Sequence, residues 1–529
     1  KYSFENNNLW GFIPISFIAL SLNFFVPLNL FYNSFVFLIL FLIIFSKKYF
    51  DQPIRPFLKK SIIVTILAFI LIIYSNVNNP DAFLYHLPFS KILNEYKILI
   101  GSFNIHHRFG HISIIQYTNS FFNLIFLNEK GLLLPLGILV SNFLIYLLKE
   151  FRLLFKSNIN RSNSIIVFFI LIVSIYSFSR YSNYGNDAPV HIFYYLLIVY
   201  IFKYNFDFNN DLLLKKICLI SLFAFLIKPF YLISLLIPFI FLLLNKNFKS
   251  FFKSLFFLFS LIFSSLWILK NFLISSCLIY PIKISCFTNV SWTNLSTIKN
   301  EKIQSEAWSK DWPNRLDKDI PIDNYIQNFE WLSTWSSNHL DIVVEKFLPI
   351  LLFLLISSII IFFSRILKNR HVSFKENVSC FIILLISFLG SLMWFLNFPI
   401  YRYGQSYLFI CILLVFYLVI FQKINEVEIY KYKKFLNIII ILAFVGLGTK
   451  NFNRINEKFS DTITPYMYDD KIHLNISKKF INNFNEFTHY YKEGGGLCGY
   501  SISPCSENKD KNLRFKTKFG YRIYYINKS

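Results

Sequence analysis

The chain has 529 residues, of which 55% are hydrophobic, 20% aromatic and only 16% charged, with 15 glycines and a mean hydropathy of +0.49. These numbers exclude an ordinary soluble globular protein, a disordered chain, a secreted disulfide scaffold and a collagen-like fibre, and imply a multi-spanning membrane protein. The formal charge of +24 is not a nucleic-acid signal, because the basic residues sit between apolar runs, where they report topology. The 66 phenylalanines accompany abundant Ile, Asn and Lys, a pattern of nucleotide composition bias that says little about function. The chain opens on Lys1, so a few residues are expected to precede it.

A helix crossing roughly 30 Å of hydrocarbon needs about 17 to 25 mostly apolar residues. Thirteen such runs are predicted, over 9–25, 28–46, 61–76, 131–148, 164–179, 188–202, 212–227, 230–244, 254–269, 345–364, 377–396, 404–422 and 435–449. Alternate loops share one chemistry. Lys47, Lys48, Arg55, Lys59 and Lys60 fall in one, and Lys149, Arg152, Lys156 and Arg161 in the next of that set. Lys246, Lys249 and Lys253, then Arg365, Lys368, Arg370 and Lys375, then Lys423, Lys431, Lys433 and Lys434 continue it. The short loops between these hold only Arg180, Lys228 and Arg402. The positive-inside rule then puts the N-terminus in the cytoplasm and the C-terminus outside a bacterial cytoplasmic membrane. This register treats His111 to Leu127 as an interfacial helix on the outer face, because Gln116, Thr118, Asn119 and Ser120 interrupt it and a crossing there would invert every later loop. It also keeps 212–227 and 230–244 as two helices with Lys228-Pro229 as their only turn.

The expected organisation is a transmembrane domain over 1–449, with external loops 77–130 and 270–344, and an external domain over 450–529. Cys218, Cys380 and Cys411 fall in helices, whereas Cys277, Cys286, Cys498 and Cys505 all fall in external segments. Cys277 with Cys286 and Cys498 with Cys505 are disulfide candidates in an oxidising compartment; four free thiols is the alternative. In the tail, Asp470 to Phe487 reads partly helical, Gly494-Gly495-Gly496 marks a turn, and Tyr521 to Ile526 reads as a strand, making a small α+β cap.

Chemistry is expected in the external pieces. The first runs from Asn78-Asn79-Pro80-Asp81 through Tyr85-His86 to His106-His107-Arg108 and His111, gathering four of the nine histidines. A carboxylate at the membrane surface can take a proton from an acceptor hydroxyl or hold a divalent metal. Asp81 equally suits a helix N-cap. Asp187, ahead of Ala188-Pro189, has the same two readings, with the proline in the first turn favouring the cap. Arg402, flanked by Tyr401 and Tyr403, offers a planar bidentate grip on phosphate. Lys228 could serve the same anion or simply snorkel to the interface. Trp292, Trp308, Trp312, Trp331 and Trp335 lie in the second loop, where indoles suit the membrane interface as well as sugar stacking.

A membrane helix ending in Asp81, with Tyr85-His86 on the juxtamembrane helix that follows, resembles the first external loop of the glycosyltransferase C (GT-C) superfamily. More closely, Asp81 to His86 with Asn104, His106, Arg108, Gly110 and Ser113 resembles a poorly characterised family of bacterial polytopic membrane proteins. Asn186-Asp187, Lys228, Lys270-Asn271 to Trp292, Arg402-Tyr403-Gly404 and Gly496 to Cys505 extend that likeness over most of the chain. The resemblance implies an all-α, GT-C-like polytopic fold of about 13 transmembrane helices with external juxtamembrane helices. It implies transfer of a sugar from a polyprenyl-phosphate donor to a glycan or lipid acceptor in cell-envelope synthesis. Asp81 would be the general base or a metal-coordinating carboxylate, with Asp187 as a second acid and Mg or Mn as the metal. Tyr85, His86, His106, Arg108, Lys228 and Arg402 would bind substrate. The partners are membrane lipid, donor and acceptor, and no nucleic acid. An envelope polysaccharide polymerase or ligase, gripping a pyrophosphate with Arg108 and Arg402, is the alternative; a lipid or solute transporter is a third.

Overall fold

The computed structural model describes residues 4–46, 54–74, 81–157, 161–178, 184–207, 209–245, 248–363, 374–424, 428–459, 479–480, 490–491, 497–500, 503–506 and 512–527. The first half holds α1 (Phe4–Asn23), α2 (Leu30–Ser46), α3 (Ile54–Ile72), α4 (Leu87–Glu95), α5 (Ile114–Phe121), α6 (Leu134–Lys156), α7 (Asn163–Ser177), α8 (Asp187–Lys203) and α9 (Asp211–Ile227). The second holds α10 (Leu236–Leu244), α11 (Phe248–Phe252), α12 (Leu255–Ser275), α13 (Leu295–Ser309), α14 (Ile322–Gln327), α15 (Trp331–Phe363), α16 (Phe374–Asn397), α17 (Tyr401–Val419) and α18 (Lys433–Phe459). Each apolar run read from the sequence overlaps one of these helices, and 230–244 begins as a 3-10 segment, Pro229–Leu235, ahead of α10. Among the described residues, six helical stretches are long and apolar enough to cross a membrane: Glu129–Lys156, Leu255–Ser275, Trp331–Phe363, Glu376–Asn397, Tyr401–Lys423 and Ile429–Glu457. Asn8–Asn23, Leu30–Ile43, Asn163–Ser177 and Pro229–Leu244 are shorter apolar helices.

The interior is built on α6, α8 and α9, whose side chains are buried on nearly all sides, with α7 and α17 packed around them. The outer ring is different. Phe31, Phe35, Leu38 and Leu42 on α2, and Ile356, Ile359, Phe362 and Phe363 on α15, are exposed, as a lipid-facing surface requires.

Two expectations need correction. The stretch after His111 is an eight-residue helix, α5, opened by a capping box in which Ser113 and Gln116 satisfy each other's turn. All eight of its residues are buried, so no face is left to lie on lipid. It is an interior helix packed on α1, α4 and α6, and its polar residues are spent inside: the Ser16 and Thr118 hydroxyls share a 2.6 Å hydrogen bond. Secondly, α15 begins at Trp331, well before the apolar run at 345, so Trp331 and Trp335 are helical core residues over Tyr325 rather than loop indoles. At about 1.5 Å per residue this helix is about 50 Å long, which carries its first turns beyond any hydrocarbon layer.

The tail contributes strands. β1 (Lys479–Phe480) pairs antiparallel with β2 (Tyr490–Tyr491), which pairs parallel with β3 (Cys505–Ser506). β4 (Leu513–Lys518) and β5 (Tyr521–Ile526) form an antiparallel hairpin that coincides with the strand read there. Most of 470–487, and the triple glycine, lie outside the described residues. β5 is stitched to the 77–130 segment: Ile100 N–H donates to Arg522 O (3.0 Å) and Tyr524 N–H to Ile100 O (2.8 Å). Gly101, at φ +69°, sits where that crossing leaves no room, since a Cβ would overlap the Tyr524 carbonyl. Cys277 is bonded to Cys286 and Cys498 to Cys505.

Candidate functional site

Five helix ends converge on one side of the bundle. Immediately after Asp81 the chain makes a π-helical turn, Ala82–His86, before α4. Wide turns of this kind recur at functional sites because they re-aim side chains that a regular helix would stack. Asp81 makes no side-chain cap hydrogen bond to this turn; its carboxylate is turned elsewhere. Oδ1 accepts from Arg108 Nη1 at 3.0 Å and Oδ2 from Arg402 Nη2 at 3.0 Å. Arg402, in the first turn of α17, also brings Nε to 3.5 Å from Asp187 Oδ2. Asp187 is the first residue of α8, and its Oδ1 accepts from Lys228 Nζ at 2.6 Å. Two carboxylates and three cations therefore form one chain, Arg108–Asp81–Arg402–Asp187–Lys228, drawn from segments 321 residues apart.

Aromatic rings line it. The Lys228 ammonium lies 3.4 Å from the centroid of Tyr403, and the guanidiniums of Arg108 and Arg402 lie 5.3 Å from Tyr85 and Tyr403 respectively. Burial raises the Tyr85 phenol well above its ordinary range, with Asp81 adding to it, so it is a neutral hydrogen-bonding group. Burial lowers Lys228 against the opposing pull of Asp187. Burial would also lower Arg108, but Tyr85, Asp81 and Glu301 outweigh it, and its guanidinium stays charged.

His86 is oriented from behind. Gln116, whose Oε1 accepts from Ser113 N–H at 3.0 Å, places its amide nitrogen 2.8 Å from His86 Nδ1. The imidazole therefore accepts at Nδ1 and keeps its proton on Nε2, which lies 3.7 Å from where a side chain at Gly185 would begin. Burial pushes this histidine down to about 4, so it is neutral at physiological pH. His106 takes a structural part: its Nδ1 accepts from Arg108 N–H at 3.2 Å, fixing the backbone that carries Arg108. Burial, with His107 next, lowers it to about 3.

The base of Arg402 is held as firmly. His191, one turn after Asp187 on α8, bonds the Arg402 carbonyl through Nε2 (2.8 Å) and the Ser406 hydroxyl through Nδ1 (2.9 Å). Tyr231 closes this group against Ser406 at 2.7 Å. Gly404 lets α17 press on α16, because a Cβ there would overlap the Trp394 ring, and the Trp394 indole donates to Ile400 O at 2.7 Å. Lys270, fully buried on α12, donates to Ile112 O at 2.7 Å and pins the loop just past His111.

Every residue proposed from the sequence to act on substrate is thus in or next to one cluster; the cysteines lie in the 277–286 and 498–505 loops, which touch its flanks where the Tyr280 hydroxyl donates to His107 O and Gly499 N–H to Phe83 O. The metal expectation for Asp81 and Asp187 does not fit. Their oxygens are engaged by two guanidiniums and an ammonium, and among the described residues no group of three or more His, Cys, Asp or Glu side chains could hold an ion. A divalent cation entering here would face three positive charges with two carboxylates; an anion would face the reverse balance. Gln116, His191, Ser406 and Tyr231 were not singled out from the sequence. His191 had a signal, its i, i+4 spacing from Asp187 on one helix face; the others had none.

Residues 1–409 match the family described as a domain of unknown function, DUF8201. The chain belongs to the DUF8201 family. The matched segment contains the whole Arg108–Asp81–Arg402–Asp187–Lys228 chain and stops short of the Cys498–Cys505 tail. Neither a curated protein nor a solved structure matches this chain.

Proposed function

We propose that this DUF8201 chain is an integral-membrane glycosyltransferase of GT-C type that takes a polyprenyl-phosphate sugar at the outer face of a bacterial cytoplasmic membrane. The observation that carries the reading is the carboxylate of Asp81 held between Arg108 and Arg402, with Lys228 one step beyond. Three cations share two carboxylates, so an incoming phosphate competes on good terms for the guanidiniums, which prefer two-pronged anions. When Arg402 shifts from Asp81 to the phosphate, Asp81 is left with a free oxygen. That oxygen can accept the acceptor's hydroxyl proton as the acceptor oxygen bonds to the anomeric carbon. The bond from that carbon to the phosphate oxygen breaks, and the leaving polyprenyl phosphate keeps the electron pair beside Arg402 and Lys228. Attack from the face opposite the phosphate inverts the anomeric centre. A lipid-borne donor also suits the surroundings, since exposed apolar helices give a prenyl chain its solvent.

The topology supports the same reading. Asp81, Arg108, Asp187, Lys228 and Arg402 all stand at helix ends assigned outside by loop charge, while Lys149, Arg152, Lys156 and Lys203 stand at the other ends. Thirteen crossings with the N-terminus inside accommodate this arrangement.

The test is transfer of label from polyprenyl-phosphate sugars to envelope glycans by the protein in lipid nanodiscs. Asp81→Asn should lose about 10²- to 10⁴-fold of the rate with donor binding retained. Unchanged turnover in that variant rules the mechanism out. One observation favours a second reading: both arginines already point at a single anionic group, as a polymerase or ligase gripping a pyrophosphate needs. That reading requires Arg108→Ala and Arg402→Ala to abolish chain transfer while Asp81→Asn spares it.

A further inference from the structure

Beside the charged cluster lies a hollow of about 330 Å³ lined by His107, Arg108, Thr297, Asn300, Glu301, Gln304, Ser305 and Trp308. Most of that lining comes from α13. Thr297, the pair Asn300 and Glu301, Gln304 and Trp308 recur at three- and four-residue steps, so they form a single stripe along one face of the helix. Ile298 and Ala307 are fully buried and anchor the helix. We infer that this hollow is a saccharide-binding site that seats the acceptor next to Asp81, an inference that rests on the transferase reading above.

The chemistry of the stripe selects the ligand. Trp308 is 58% exposed and has no ring partner among the described residues. An open indole at a hollow offers the flat apolar face on which the CH face of a pyranose stacks. Nor do the Asn300 and Gln304 amides or the Thr297 hydroxyl form a side-chain hydrogen bond with any described residue. These are groups that donate and accept at once, which is what a ring of hydroxyls requires. A prenyl chain would find too many polar groups here. A phosphate would meet Glu301, whose carboxylate is buried and fixed on both oxygens: His111 Nε2 lies 2.9 Å from Oε1 and His107 Nε2 3.3 Å from Oε2. Burial alone would raise Glu301, but His111, His107 and Arg108 hold it below its ordinary value, so it stands as a permanent acceptor.

Arg108 belongs to both places. It lines the hollow and bonds Asp81 at 3.0 Å. A glycan bound over Trp308 would therefore meet the same guanidinium that bonds Asp81, with its next ring directed toward the carboxylate.

Binding is measured on the full chain in nanodiscs by saturation-transfer NMR, with tetrasaccharides of glucose, galactose, mannose, rhamnose and N-acetylglucosamine as probes and no donor present. At least one probe should bind, and Trp308→Ala and Gln304→Ala should each weaken it by about tenfold or more. Both side chains are exposed, so folding is not at stake. Gly446→Ala on α18, where nothing lies within 4 Å of an added Cβ, should leave this binding within twofold. Absence of binding by every probe, or binding indifferent to Trp308 and Gln304, overturns the site. In a separate titration with a polyprenyl-phosphate sugar, a loss on Trp308→Ala that the tetrasaccharides do not share overturns it too, and would make the hollow a donor site. Because no turnover is read, these outcomes are separate from the Asp81→Asn result that tests the reaction itself.

Discussion

At the scale of single residues, the site is a contest over guanidinium partners, and that makes Arg402 the most informative position. Its planar fork reaches Asp81 through Nη2 and Asp187 through Nε. Lysine keeps the charge but can reach only one of them. Arg402→Lys should raise the donor KM about tenfold in the transfer assay while thermal stability changes little. The buried histidines give a second prediction with a defined sign. In the unfolded chain an imidazole titrates near 6.5, whereas folded His86 titrates at about 4 and His106 at about 3. Below pH 6.5 the unfolded state therefore binds protons that the folded state refuses, and stability falls with pH down to those lower values. The apparent Tm in detergent should drop from pH 7 to pH 5 by more than in the His86→Gln/His106→Asn double variant; parallel slopes would show that these imidazoles are not the groups responsible.

Among the elements, the junction of α16 and α17 matters most, because it sets where Arg402 stands. Gly404 is in contact with Trp394, so Gly404→Ala forces the two helices apart or the indole out of place. Overpacking of this sort costs about 1 to 3 kcal/mol. The expected outcome is a lowered Tm together with a loss of transfer like that of Arg402→Lys, whereas Gly446→Ala on α18, where nothing approaches within 4 Å, should change neither. How far such elements could be read in advance depended on which physical signal each one carries. Apolar length exposes a helix directly, and all thirteen runs fell on helices. Asp81, Arg402 and Lys228 were also visible, as charges in places where charge is scarce. Glu301 was not, since it is one of eight acids in 270–344 and only the fold brings His107 and His111 to it. Burial of α5 was equally hidden: its hydroxyls and amides read as an interface because their partners, such as Ser16 on α1, are about a hundred residues away. Likewise the Trp331 and Trp335 indoles read as belt residues until Tyr325 and Phe395 are seen packing on them.

Across the whole molecule, the proposed reading requires one orientation in the membrane. The two disulfides, the α13 stripe and the Asp81 cluster all lie on segments that the loop charges assign outside, and β5 is bonded to the same external loop that carries Arg108. Cysteine labelling tests this without any assay of function. Cys218, Cys380 and Cys411 are partly or wholly buried, and the other four cysteines are paired, so the chain itself offers little background to a membrane-impermeant maleimide. Lys299 on α13 and Lys431 ahead of α18 are both exposed, and each tolerates a cysteine on that ground. With the N-terminus inside, Lys299→Cys should react in intact spheroplasts and Lys431→Cys only after the membrane is opened. Reversal of that pattern would put Asp81 on the cytosolic face, among soluble nucleotide sugars, and would remove the reason for invoking a prenyl-linked donor. Labelling of both from outside would show an even number of crossings between them, where α15, α16 and α17 supply three.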